Sequence, residues 1–179
     1  KNILIIALLI LFILASVQAE GQNMLTGIKI YDYEGNFNQL IREWKALGIN
    51  CAFASLELNR NADFCKITDS SGLKRFVIIP IFYDSDTLQK DKDLYAITKS
   101  GKYAAQEWMK FVCPSRKGYR QDKINFVKEI IRETDPDGIS LDFIRHFVFW
   151  EKIYPNYPAD SLPNTCFCDS CMQYFQNDK

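Results

Sequence analysis

The chain of 179 residues lacks an excess of charge of either sign, with 22 Lys and Arg set against 22 Asp and Glu. That balance removes the electrostatic footprint of a nucleic-acid binder and leaves no polybasic patch for a membrane surface. An apolar run long enough to span a bilayer is also missing. About 20 residues are needed, and the run from Ile3 to Ala15 falls short of that. No internal repeat is visible beyond an alternation of strand and helix patterns, and histidine occurs once, as His146.

Lys1-Asn2, the short apolar run and then Ser16-Val17-Gln18-Ala19 have the form of a secretory signal peptide over residues 1–19, cleaved after Ala19. This predicts a secreted or extracytoplasmic product with no membrane attachment after cleavage; an uncleaved anchor is the alternative. The sequence does not open on methionine, and we expect a longer basic region ahead of Lys1. Residues 20–179 then read as one domain. Thirteen Phe, nine Tyr and three Trp suit a deep core and also a cleft in which sugar faces stack on rings.

Along this domain, Gly27 to Tyr33 alternates as a first strand. Asn36 caps a helix carrying Phe37, Leu40, Ile41, Trp44 and Leu47 at helical spacing, and Gly48 ends it. Ile49 to Leu58 reads as a second strand, and Asn59 to Gly72 as a weaker helix or loop in which Phe64, Cys65 and Ile67 could face the core. Phe76 to Asp84 is the strongest strand; its continuous apolar character means that both faces are covered, and Pro80 implies a bulge or an unpaired position. Asp84 to Gly101, with Lys90-Asp91-Lys92-Asp93, reads as a long exposed loop. A helix from Tyr119, with Ile124, Val127, Ile130 and Ile131 on one face, leads to Asp135-Pro136-Asp137-Gly138, a stop-and-turn signal.

The segment after that turn, Ile139-Ser140-Leu141-Asp142-Phe143, reads as a fourth, parallel strand with Asp142 near its C-terminal end. Alternating strands and helices with right-handed crossovers predict an α/β fold, the N-terminal half of a (β/α)8 TIM barrel with about four β/α units. A full barrel takes about 250 residues. We therefore expect either a domain truncated at its C-terminus or an oligomer that closes the sheet, since open edges leave backbone groups unpaired. The C-terminal rim of such a barrel collects catalytic groups. Asp142 is the candidate there. Asp32, Glu57 and Asp84, at other predicted strand ends, are candidate sugar ligands, as are Arg145, His146 and Trp150 beyond the fourth strand. Tyr154 to Tyr157 could add a stacking surface. A structural ion pair of Asp142 with Arg145 is the competing reading, and ordinary strand-end acids or core rings explain the others equally well.

Cys166-Phe167-Cys168-Asp169-Ser170-Cys171 packs three sulfurs into six residues, which suits one tetrahedral ion, Zn2+, with Cys113 as the distant fourth ligand. Disulfides among the same four compete in an oxidising compartment. Cys51 and Cys65 are either buried thiols or one disulfide.

The stretch Cys113-Pro114-Ser115-Arg116-Lys117-Gly118-Tyr119-Arg120 with the later three-cysteine run resembles the zinc-binding segments of family 42 β-galactosidases. There, C-P-x-x-x-x-Y-R and C-x-C-x-x-C hold one structural zinc near the barrel mouth. Asp137 to His146 resembles the fourth-strand segment of glycosyl hydrolases with amylase-like barrels, where the strand-end aspartate is the nucleophile. The resemblance covers about the last 70 residues, and it departs at two places: Leu141-Asp142 stands where family 42 has Asn-Glu, and Ser140 where amylases carry arginine. It implies a diverged glycoside hydrolase acting on a carbohydrate substrate, with a structural zinc and no catalytic cofactor. Its second catalytic carboxylate would follow a later strand that this chain does not contain. A non-catalytic module that binds a glycan or protein is the alternative implication.

Overall fold

The computed structural model describes residues 24–148, 153–156 and 158–178; the expected signal peptide, Trp150 and Tyr157 lie outside them. Four parallel strands form one sheet in the order β1 (Gly27–Ile30), β2 (Cys51–Ala54), β3 (Lys74–Pro80) and β6 (Gly138–Asp142), so each new strand is added on the same side. Between them run α1 (Phe37–Ala46), α2 (Leu56–Arg60), α3 (Ala62–Ser70), α4 (Ser85–Lys90), a short antiparallel hairpin of β4 (Ala105–Gln106) and β5 (Met109–Lys110), and α5 (Lys117–Thr134). Helix α6 (Asp169–Asn177) closes the described chain. Sequential parallel strands with helical crossovers are what half of a (β/α)8 barrel requires. Among the described residues, no helix is long and apolar enough to cross a membrane.

The two faces of the sheet differ in kind. Ile28, Ile30, Ala52 and Ala54 pack against Ile41 and Trp44 of α1 and Phe64 of α3, while Val77 and Ile79 pack on Ile130 of α5. The other face carries Lys29, Phe53, Phe76, Ser140 and Asp142, and the Phe53 and Phe76 rings stack at 4.9 Å. Lys29 of the first strand reaches Asp142 of the fourth at 3.0 Å. In a flat sheet those strands would be about 14 Å apart, three strand spacings, so the sheet curls towards this face and makes it the concave, barrel-interior side. Gly138 belongs to the same curl, because a Cβ there would come within 2.5 Å of the Phe76 ring.

Helix boundaries follow capping chemistry. Asn36 accepts from the Gln39 amide as expected, and Gly48 takes a positive φ of 78° just beyond α1. The expected second strand is shorter than read. Ser55 accepts from the Leu58 amide, so Leu56, Glu57 and Leu58 turn into α2 instead of extending β2. Asn61 likewise caps α3, which resolves the ambiguous 59–72 stretch as helix and buries Phe64. The expected exposed loop over 84–101 is corrected as well. It contains α4 and a short 3-10 turn, and it buries Leu88, Tyr95 and Ala96. Leu88 and Tyr95 form a small core with Val112 and Tyr119, from residues too sparse to show a period in the sequence. Pro80 ends β3 in register with Asp142, and the ladder continues through the Ile81 amide to the Asp142 carbonyl.

Candidate functional site

Asp142 is the last residue of β6, on the concave face at the C-terminal end of the sheet. Its Oδ2 accepts from Lys29 Nζ at 3.0 Å and from the Tyr31 hydroxyl at 3.3 Å; its Oδ1 accepts from the Phe143 amide at 2.9 Å. The side chain is 25% exposed, enough for a small ligand to reach it. Burial pushes its pKa up, but the Lys29 ammonium, the Phe143 amide and the Tyr31 hydroxyl together outweigh that and hold the carboxyl below its ordinary value. Phe143 then adopts φ +52°, a left-handed conformation that is costly for a bulky residue. One further backbone bond follows, from the Phe82 amide to the Phe143 carbonyl at 3.4 Å.

The ion-pair partner of Asp142 is Lys29, not the Arg145 of the competing reading. Arg145 does not contact it: its guanidinium donates to the Val148 carbonyl and lies 5.5 Å from the Phe143 ring centroid. Arg145 and the exposed His146 line a separate cleft with Phe147 and Cys166. The Lys29 contact, made 113 residues away in the chain, depends on sheet curvature and left no local signal.

The remaining acids are dispersed around the same rim. Asp32 and Glu57 are exposed, Glu57 in the first turn of α2. Asp84 is held in place. It caps α4 through the Thr87 amide, pairs with Lys123 of α5 at 3.0 Å and accepts from the Tyr119 hydroxyl at 3.2 Å. Burial raises its pKa, but Thr87 and the Lys123 ammonium outweigh that and hold it below its ordinary value, so the carboxyl stays ionised.

Cys113, Cys166, Cys168 and Cys171 converge, all four sulfurs within 4.8 Å of one another. Cys113 lies 3.5 Å from both Cys168 and Cys171. A disulfide needs about 2.05 Å, whereas four thiolates at about 2.3 Å from a tetrahedral zinc stand about 3.8 Å apart. The donor set and spacing thus fit a closed structural metal site, and all six cysteines are free thiols. The hydrogen bond from Cys113, with support from the Ile97 amide, lowers the Cys166 pKa, so the group favours thiolate. The cluster lies on the Asp142 side of the molecule, for Cys113 and Cys168 share a core with Phe111, Phe147 and Phe143, the residue after the carboxylate. Of the other two, Cys51 is buried in β2 and Cys65 contacts Arg75 at 3.4 Å, and both are free thiols.

No family model matches the sequence, and no curated protein matches it as a relative. Solved structures share the fold. α-L-Fucosidase isoenzyme 2 from Paenibacillus thiaminolyticus superposes with a TM-score of 0.57 at 15% identity, over 87% of this chain and 26% of its own. A hypothetical protein from Ruminiclostridium thermocellum gives 0.51 at 14% identity, over 61% and 70%. A noncanonic maltogenic α-amylase from Thermotoga neapolitana gives 0.45 at 14% identity, over 64% and 38%, too loose to bear on the fold. This chain therefore spans about a quarter of the fucosidase. Sheet order and curvature define the class as a partial (β/α)8 barrel, a fold that the chain shares with part of the fucosidase.

Proposed function

We propose that this chain carries the Asp142-bearing half of the catalytic barrel of a secreted glycoside hydrolase, which cleaves O-glycosidic bonds in an oligo- or polysaccharide. The observation that carries the reading is an ionised carboxylate at the rim end of the fourth strand, on the concave face, gripped by a lysine and a tyrosine of the first. Asp142 attacks the anomeric carbon as the bond to the leaving oxygen breaks, and a protonated second carboxyl group gives that oxygen its proton. That second group comes from strands beyond the four described, which also complete the barrel, whether from a longer chain or from an oligomeric partner. Lys29 and Tyr31 keep Asp142 charged and fix its direction. The four cysteines hold a structural zinc, as in the segments of family 42 enzymes that they resemble, and fix the β4–β5 hairpin and α6 against Phe143; catalysis needs no metal.

Fluorinated glycosyl fluorides test the assignment on the chain as it stands, because fluoride departs without a proton donor. A panel of gluco, galacto and fuco reagents should add one glycosyl group to wild-type protein, mapped by mass spectrometry to Asp142, and none to Asp142→Asn. Labelling that persists in Asp142→Asn, or saturable glycan binding with no labelling by any reagent, would overturn the hydrolase reading; the second result is that of a non-catalytic glycan-binding module.

A further inference from the structure

Beside Asp142, above the ends of β1, β2 and β3, a cleft of about 500 Å³ opens, within the range of small-molecule sites. Tyr31 and Tyr83 stand in its wall, with Glu57 and Asp86 offering carboxylates. Both tyrosines connect the cleft to the carboxylate. The Tyr31 hydroxyl donates to Asp142, and the Tyr83 ring lies 5.0 Å from Phe143, the next residue. Tyr83 is braced a second time by Trp108 of the β4–β5 turn, edge-on at 5.6 Å. A ring fixed from two sides presents a face at little entropic cost, which is what stacking against the C–H face of a pyranose requires.

We propose that this cleft is a sugar-binding subsite adjoining Asp142, in which Tyr83 is the stacking platform and Glu57 and Asp86 accept hydrogen bonds from hydroxyl groups of a neutral oligosaccharide. Neutrality follows from charge. Three carboxylates (Glu57, Asp84 and Asp86) line the cleft against the single ammonium of Lys123, and that ammonium is paired with Asp84. A uronic acid unit would meet uncompensated negative charge. The proposal rests on the reading of Asp142 as the sugar-facing carboxylate, and it adds Tyr31, Tyr83 and Asp86 to the residues that meet substrate.

The test is an amide-resolved NMR titration of the whole chain with maltotriose, xylotriose and trigalacturonate. At least one neutral trisaccharide should shift Tyr31, Glu57, Tyr83 and Asp86, and trigalacturonate should shift none of them. Tyr83→Ala should weaken binding about tenfold, Tyr83→Phe should keep the wild-type affinity, and Glu57→Gln/Asp86→Asn, both at exposed positions, should weaken it several-fold without unfolding the chain. Shifts confined to another part of the surface, preferential binding of trigalacturonate, or unchanged affinity in both Tyr83→Ala and Glu57→Gln/Asp86→Asn would overturn the proposal. Glycosyl labelling of Asp142 together with unchanged affinity in those variants removes the cleft alone. Tyr83-dependent binding without labelling removes the hydrolase reading and keeps the cleft.

Discussion

Replacing Lys29 with methionine isolates the contact on which the candidate site depends. Methionine keeps most of the aliphatic stem and removes the ammonium 3.0 Å from Asp142. Exposed ion pairs are worth about 0.2–1 kcal/mol. Here Lys29 is half exposed and Asp142 only a quarter, so the upper end, about 1 kcal/mol, is the appropriate magnitude after allowance for solvent screening. The same loss should raise the Asp142 pKa, since the Lys29 ammonium is one of the groups that hold it down. The direction of the pH dependence follows from the depressed pKa of this acid. Its contribution to stability is complete above the unfolded carboxyl pKa of about 4 and is lost as pH falls through the lower folded value. Urea denaturation should therefore show wild type ahead of Lys29→Met by about 1 kcal/mol at neutral pH, with the gap closing as pH falls below the unfolded value and through the lower folded one, while a carbon-13 carboxyl titration reports the pKa directly. A gap that stays constant to the lowest pH would mean that the lysine stabilises by packing alone, and the account of an electrostatically held carboxylate would fail.

Two further outcomes follow from other parts of the molecule. Reduced protein supplied with cobalt should take one ion per chain and develop the d–d and thiolate charge-transfer bands of a tetrahedral four-sulfur site, both lost in Cys113→Ser; two disulfides by mass and no bands would remove the metal site. Gly138→Ala drives a methyl group into the Phe76 ring across β3 and β6, so thermal and urea unfolding should show a loss of about 1–3 kcal/mol, and an unchanged midpoint would refute the curl assigned to the concave face.

The parts of this fold that were legible in the sequence are those written in local chemistry. Asn36 and Gly48 frame α1, the apolar run of β3 is buried on both sides, and the Asp135 to Gly138 turn delivers Asp142 to a strand end. The cysteine group was legible because three of its members lie within six residues. Contacts closed only by curvature were not: nothing near Lys29 or Asp142 in the chain announces their pairing, and the adjacency of Arg145 suggested a different one. The segment from Asp84 to Gly101 misled for another reason. Its polar residues outnumber the few that pack, and short irregular elements give a period of neither two nor 3.6. Tyr83 and Trp108 carried no signal at all, since an aromatic residue at a rim looks in sequence like one in a core.

Among the described residues, β1 and β6 each have a single neighbour in the sheet, and beside β6 the side chains of Leu141 and Ile144 are 50% and 59% exposed, next to Ile124 of α5. Such a border is a template for any extended chain that arrives in register. Where no further strand covers it, that border favours strand-by-strand accretion of molecules in concentrated solution. A lysine substituted at Leu141 would place charge on that border and keep the protein dispersed without touching the concave side.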